Sequence, residues 1–173
     1  MKVLTITGVG PGDPSLLTLA AVEAIQESTV VSYPVSIIGG ESLAEMIASK
    51  WITKDKKKLP LYFPMVDDYS TLKSAWRVAG NKLMEMVKKG ERVVFLAQGD
   101  ISLFSTGSYL SKELEKYQTE CIVKLIPGVT SFSAAAAMSK LPLALQEEQL
   151  LVVPVPDSSE VLKVILSEAL TFT

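Results

Sequence analysis

Three short stretches carry residue types suited to holding a polar ligand against the main chain. Each is a glycine-bearing turn that follows an apolar run: Gly8-Val9-Gly10-Pro11-Gly12-Asp13, Gln98-Gly99-Asp100 and Pro127-Gly128-Val129-Thr130-Ser131. Glycine lets a ligand approach the backbone closely, and main-chain groups exposed at strand ends bind carboxylates and amines. A carboxylate such as Asp100 takes a hydroxyl or cationic partner. The central stretch, Val93 to Thr106, shows the pattern most fully, because its apolar run stops at Gln98 and Ser102, Ser105 and Thr106 then lead into helical spacing. Strand ends of this kind bind ligands in open α/β sheets. They also form ordinary βα turns, in which Asp100, Thr130 and Ser131 would only cap helices.

Composition removes several chemistries. The chain has no histidine and one cysteine, which excludes a histidine-based triad, histidine-ligated metals and thiolate zinc sites, and no metal site is expected. Cys121 sits in an apolar run and reads as a small buried hydrophobe. No phosphate-binding G-x-x-x-x-G-K-[ST] loop occurs. Gly8-Val9-Gly10 starts like a dinucleotide fingerprint, but the next glycine stands at position 12 instead of 13 and no acid follows near Tyr33. A net charge of −2 gives no global basic field, so no nucleic-acid partner is expected. The lysine run Lys54, Lys56, Lys57 and Lys58 reads as a solvated loop. No stretch approaches the ~20 apolar residues of a membrane span, and the first apolar run is too short for a signal peptide, so a cytoplasmic location is expected.

The elements that must position these turns follow from periodicity. Val3 to Thr7 reads as a strand, Asp13 as a cap with Pro14 at the first helical position, and Leu17, Ala21, Ala24 and Ile25 as a buried helix face. Val30 to Tyr33 reads as a strand stopped by Pro34, and Ser42 with Glu45 as a capping box before a helix facing inward through Leu43, Met46 and Ile47. Leu59 to Phe63, bracketed by Pro60 and Pro64, reads as an edge strand. A long helix is expected over Ser70 to Lys89 and another through Tyr109, Leu110, Leu114 and Tyr117. A polar pause near Gln118 to Glu120 suggests a domain junction, giving an N-terminal α/β domain over 1–118 and a partial C-terminal one over 119–173. Within the latter, strands are expected at Cys121 to Ile126 and Leu150 to Val153, with helices after Ser131 and over Ser159 to Leu170.

Taken together, the three turns resemble the signatures of the tetrapyrrole methylases. Gly8 to Asp13 followed by Leu16-Leu17-Thr18-Leu19 is similar to the family's N-terminal motif, Gln98-Gly99-Asp100 to its central loop, and Pro127 to Ser131 to its third. Ile101 stands where the family usually has proline. Phe63-Pro64-Met65, Trp76, Phe104-Ser105-Thr106 and Leu141-Pro142-Leu143 resemble the branch that methylates precorrin-2 at C-20. The resemblance implies two α/β domains, the second incomplete at Thr173, usually within a homodimer. It implies S-adenosyl-L-methionine as methyl donor, held by Pro11, Gln98, Gly99, Asp100, Leu103, Thr130 and Ser131. The implied substrate is a tetrapyrrole, precorrin-2 or cobalt-factor II. Its proton acceptor is left open between a carboxylate, Tyr109 and the substrate itself, and Lys73, Arg77 and Lys140 are possible contacts for its carboxylates. A non-catalytic binding relative and a sister methylase are the competing readings.

Overall fold

The structure is a computed structural model that describes residues 2–156 and 158–170, with side chains to residue 167. It divides into two compact units, Met1–Ser131 and Phe132–Thr173.

The first unit is built on five parallel strands, β1 (Lys2–Gly8), β2 (Val30–Val35), β3 (Lys57–Tyr62), β4 (Val93–Ala97) and β5 (Cys121–Ile126), in the order β3-β2-β4-β1-β5. Helices α1 (Leu19–Glu27) and α2 (Leu43–Ala48) cover one face, and α3 (Tyr69–Lys88) and α4 (Thr106–Leu114) the other. The strands feed both layers because alternate residues point to opposite faces. In β4, Val93, Phe95 and Ala97 pack with Leu83, Leu110 and Leu114, while Val94 and Leu96 pack with Ile25, Ala44 and Ile47.

Several local expectations are adjusted by tertiary contacts. Asp13 caps only a 3-10 turn, Pro14–Leu16, and Thr18 caps the α-helix itself, accepting from the Ala21 N–H at 3.2 Å. The buried face of α2 is Ala44, Ile47 and Ala48, while Leu43 and Met46 stay exposed, because the 44/47/48 spacing faces the sheet. β2 runs past Pro34 to Val35, but its pairing with β4 ends at Ser32. The reason is the direction of the donors. Val30 donates its N–H to Arg92, so even-numbered residues of β2 face β4, and Pro34 has no N–H to continue that ladder. In β3, Lys57 and Phe63 donate to Thr29 and Val35, so the missing N–H of Pro60 points to the open edge.

The lysine run is not a solvated loop throughout. Lys56 is only 9% exposed, and its ammonium donates 2.7 Å hydrogen bonds to the carbonyls of Gln26 and Ser28 at the end of α1. A cation there meets the negative end of the helix and satisfies carbonyls that have no helical partner. Lys57 and Lys58 form ion pairs with Glu91 and Glu45.

β5 has the bounds read from sequence, yet it pairs along its length with β1 and closes the first sheet. The polar pause at Gln118 to Glu120 is therefore the turn before an edge strand, and the first compact unit runs on to Ser131. The second unit contains α5 (Ser131–Ser139, beginning at the last residue of the first unit) and α6 (Ser159–Leu170). Leu150 to Val153, expected as a strand, carries no strand, since no ladder partner is present among the described residues.

Candidate functional site

All three glycine turns lie at one edge of the sheet, because β1, β4 and β5 are parallel and each turn follows a strand's carboxyl end. β1 and β4 are neighbours whose connections depart oppositely: β1 leads through α1 to β2 on one side, and β4 leads through α4 to β5 on the other. That reversal is the switch point at which open α/β sheets leave a crevice.

The turns are joined to one another by backbone. Gly10 and Gly99 exchange two hydrogen bonds, Gly99 N–H to the Gly10 carbonyl at 2.8 Å and Gly10 N–H to the Gly99 carbonyl at 3.2 Å. Gly99 has φ +68°, a left-handed conformation that a side chain would strain. The third turn is pressed onto this pair. A Cβ on Gly128 would overlap the Gly99 carbonyl oxygen and come within 2.9 Å of the Gly8 backbone. Gly99 itself faces open space, with nothing within 4 Å of where its Cβ would be. The result is a rigid, side-chain-free cradle with room above it.

Asp100 sits beside this cradle with both oxygens occupied. Oδ1 accepts the Gly128 N–H at 2.8 Å, and Oδ2 accepts the Ser102 N–H at 3.0 Å and the Ser102 hydroxyl. Burial pushes its carboxyl upward, but the hydrogen bonds from Ser102, Gly128 and Ile101 outweigh that and hold it below the usual carboxylate range. Ile101, which replaces the proline usual in the resembled motif, is buried in the core shared with α4, and its carbonyl accepts the Ser108 hydroxyl. Leu103 is half-buried, and the next residue, Phe104, is 65% exposed with φ +48°, an uncommon conformation for a bulky side chain. Ser105 then caps α4 by accepting the Gly107 N–H at 3.1 Å.

Pro11 is half-buried between Gly10 and Gly12, Thr130 is half-buried, and Ser131 is exposed at the first residue of α5. Gln98 is exposed and lines a cleft of about 320 Å³ together with Glu41, Ser42, Phe63, Met65 and Thr106. Sequence reasoning did not connect Glu41 to this edge; the Gly39-Gly40 pair just ahead of the α2 cap was the available signal. Tyr109 lies face to face with Trp76, with ring centroids 4.4 Å apart, and Lys73 and Arg77 are exposed on α3.

Residues 3–172 match the Tetrapyrrole (Corrin/Porphyrin) Methylases. The chain belongs to that family. Among tetrapyrrole methylases and their relatives it is 33% identical, over 83% of its length, to the cobalt-precorrin-2 C(20)-methyltransferase of Salmonella typhimurium. It is 36% identical, over 85% of its length, to a protein of Methanocaldococcus jannaschii named probable cobalt-precorrin-2 C(20)-methyltransferase. Those matches take in 60% and 61% of the two relatives, so the chain spans about three fifths of their length. Its fold matches the crystal structure of the methyltransferase CobJ with a TM-score of 0.65 at 22% identity, covering 98% of this chain and 64% of the other.

Proposed function

We propose that the chain carries the donor-binding half of an S-adenosyl-L-methionine-dependent methyltransferase that methylates precorrin-2, or cobalt-factor II, at C-20 in cobalamin biosynthesis. The observation that carries this reading is the stitched cradle of Gly8, Gly10, Gly99 and Gly128 at the switch point, in a chain whose relatives bear C(20)-methyltransferase names. The cradle suits a donor with a polar amino-acid tail, because it offers main-chain groups and open space above Gly99. Pro11, Gln98, Gly99, Asp100, Leu103, Thr130 and Ser131 are the residues we assign to the donor site. When bound, the donor supplies an electrophilic methyl group to a carbon nucleophile. The demand on the protein is then mainly orientation, which a rigid backbone cradle meets. The cleft beside Gln98 and Thr106, walled by Phe63 and Met65, suits one edge of a tetrapyrrole's ring system. The same reading makes the protein a cytoplasmic homodimer and places residues after β5 in a second α/β domain.

Calorimetric titration with S-adenosylhomocysteine tests the donor site, and transfer of a labelled methyl group to precorrin-2 or cobalt-factor II tests the substrate. Saturable binding that Gly128→Ala abolishes is the expected result, since the added Cβ cannot fit. A folded wild-type chain that gives no heat would sink the reading.

A further inference from the structure

We infer that the turn from Ser36 to Glu41 is a substrate-contact wall, with Ile37 and Ile38 laid against the ring system of the tetrapyrrole whose edge enters the cleft beside Gln98. This rests on the methyltransferase reading and adds residues to which that reading gives no role.

Both ends of the turn are fixed, and both belong to the cleft. Val35 is buried opposite Tyr62 at the end of the β2–β3 ladder, and Ser42 is buried where it caps α2. Ser36 and Glu41, the first and last residues between these posts, line the cleft together with them. Within the turn the chain folds back tightly: Gly40 donates its N–H to the Ile37 carbonyl at 2.9 Å, and Gly39 takes φ +78°. Two consecutive isoleucines are left 70% and 82% exposed, and neither takes part in either core of the first unit. Leu43 and Met65, which line the cleft itself, are exposed as well, so apolar surface stands on the wall and inside it.

Charge decides which part of the ligand is met there. Among the described residues neither lysine nor arginine lines the cleft, and Glu41 brings a carboxylate to it. The carboxylate arms of a tetrapyrrole are therefore repelled, while a bridging-carbon edge, which carries no arm, can enter. At about 320 Å³ the cleft holds only part of so large a ligand, and the ring surface left outside it needs an apolar neighbour. Ile37 and Ile38 supply one from the cleft's own wall.

The test titrates cobalt-factor II, followed by its visible absorption, into the whole chain and into a variant carrying Ile37→Ser and Ile38→Ser. The dissociation constant should rise about tenfold or more in the serine variant, because the apolar area that the ring covers is gone. Affinity for S-adenosylhomocysteine should stay within about threefold and the thermal midpoint within about 2 °C, since both side chains are in water in the free protein. Ile37→Leu with Ile38→Leu keeps the apolar area and should bind cobalt-factor II within about threefold of wild type. Unchanged cobalt-factor II affinity in the serine variant would overturn the inference; if sedimentation then shows a smaller assembly, a second copy of the chain is what covers the isoleucines. Equal loss of both ligands with a lowered thermal midpoint would also overturn it, because the turn would then only support the fold. A wild-type chain that binds no cobalt-factor II defeats the substrate reading and this inference together, whereas a serine variant that binds like a binding-competent wild type defeats the inference alone.

Discussion

Residues 1–131 and residues 132–173 are similarly rich in apolar side chains, yet they use them differently. All the buried apolar side chains among the described residues lie between Leu4 and Ile126. Beyond Ser131, Met138, Leu141, Leu151, Val155, Val161 and Val164 are each half exposed or more. Helices nonetheless form there, because a helix satisfies its own backbone: the Ser158 hydroxyl accepts from Glu160 and Val161 to start α6. Leu150 to Val153 has strand composition but no ladder partner among the described residues, and a strand cannot satisfy its backbone alone. Local pattern is thus enough for a helix, whereas a strand also needs a partner distant in sequence.

The sharpest way to test this contrast is a pair of core deletions. Phe95 is fully buried in β4, and Phe95→Ala should cost about 3–5 kcal/mol, read from the urea midpoint. Leu151→Ala, at 59% exposure, should cost less than about 0.5 kcal/mol; equal losses would break the contrast. Next in size is Lys56→Met, which leaves the carbonyls of Gln26 and Ser28 without their donor and should cost about 2 kcal/mol in the same assay.

A smaller effect is expected from Asp68, the α3 cap, whose carboxyl is lowered from 3.8 to about 2 by the Thr71 and Ser70 hydroxyls and the Thr71 N–H. Because its folded value is depressed, its contribution is complete above the unfolded value and disappears as pH falls from about 4 toward 2. Asp68→Asn should flatten the stability–pH curve in that window, and an unchanged slope would count against the cap. Smallest of all should be the effect of ending the chain at Ser131. Thermal unfolding of that fragment should stay within about 4 °C of the full chain if the first unit stands by itself.

Much of this was legible in the sequence. The strand-then-glycine pattern located all three turns, and the limits of β5 and α6 follow directly from hydrophobic run length and spacing. What was not legible depends on partners remote along the chain. Lys56 looks like its exposed neighbours because the carbonyls it meets lie 28 and 30 residues earlier. The bond from Asp100 to the Gly128 amide is invisible in the sequence because that amide is 28 residues further on. The pause at Gln118 to Glu120 looks like a boundary because nothing local says that the next strand returns to pair with the first.

The two outer strands also set how this sheet can grow. At one margin Pro60 presents a carbonyl without a matching amide to solvent, a few residues after Lys57 and Lys58 in the same strand. At the other, β5 has no proline, and its Ile122 and Leu125 are about half exposed. An incoming strand therefore finds an unbroken ladder only along β5, and recruitment into larger assemblies, whether ordered or aggregated, is polarised toward that side. A proline at Val123, whose amide faces away from β1, would be the economical way to blunt it.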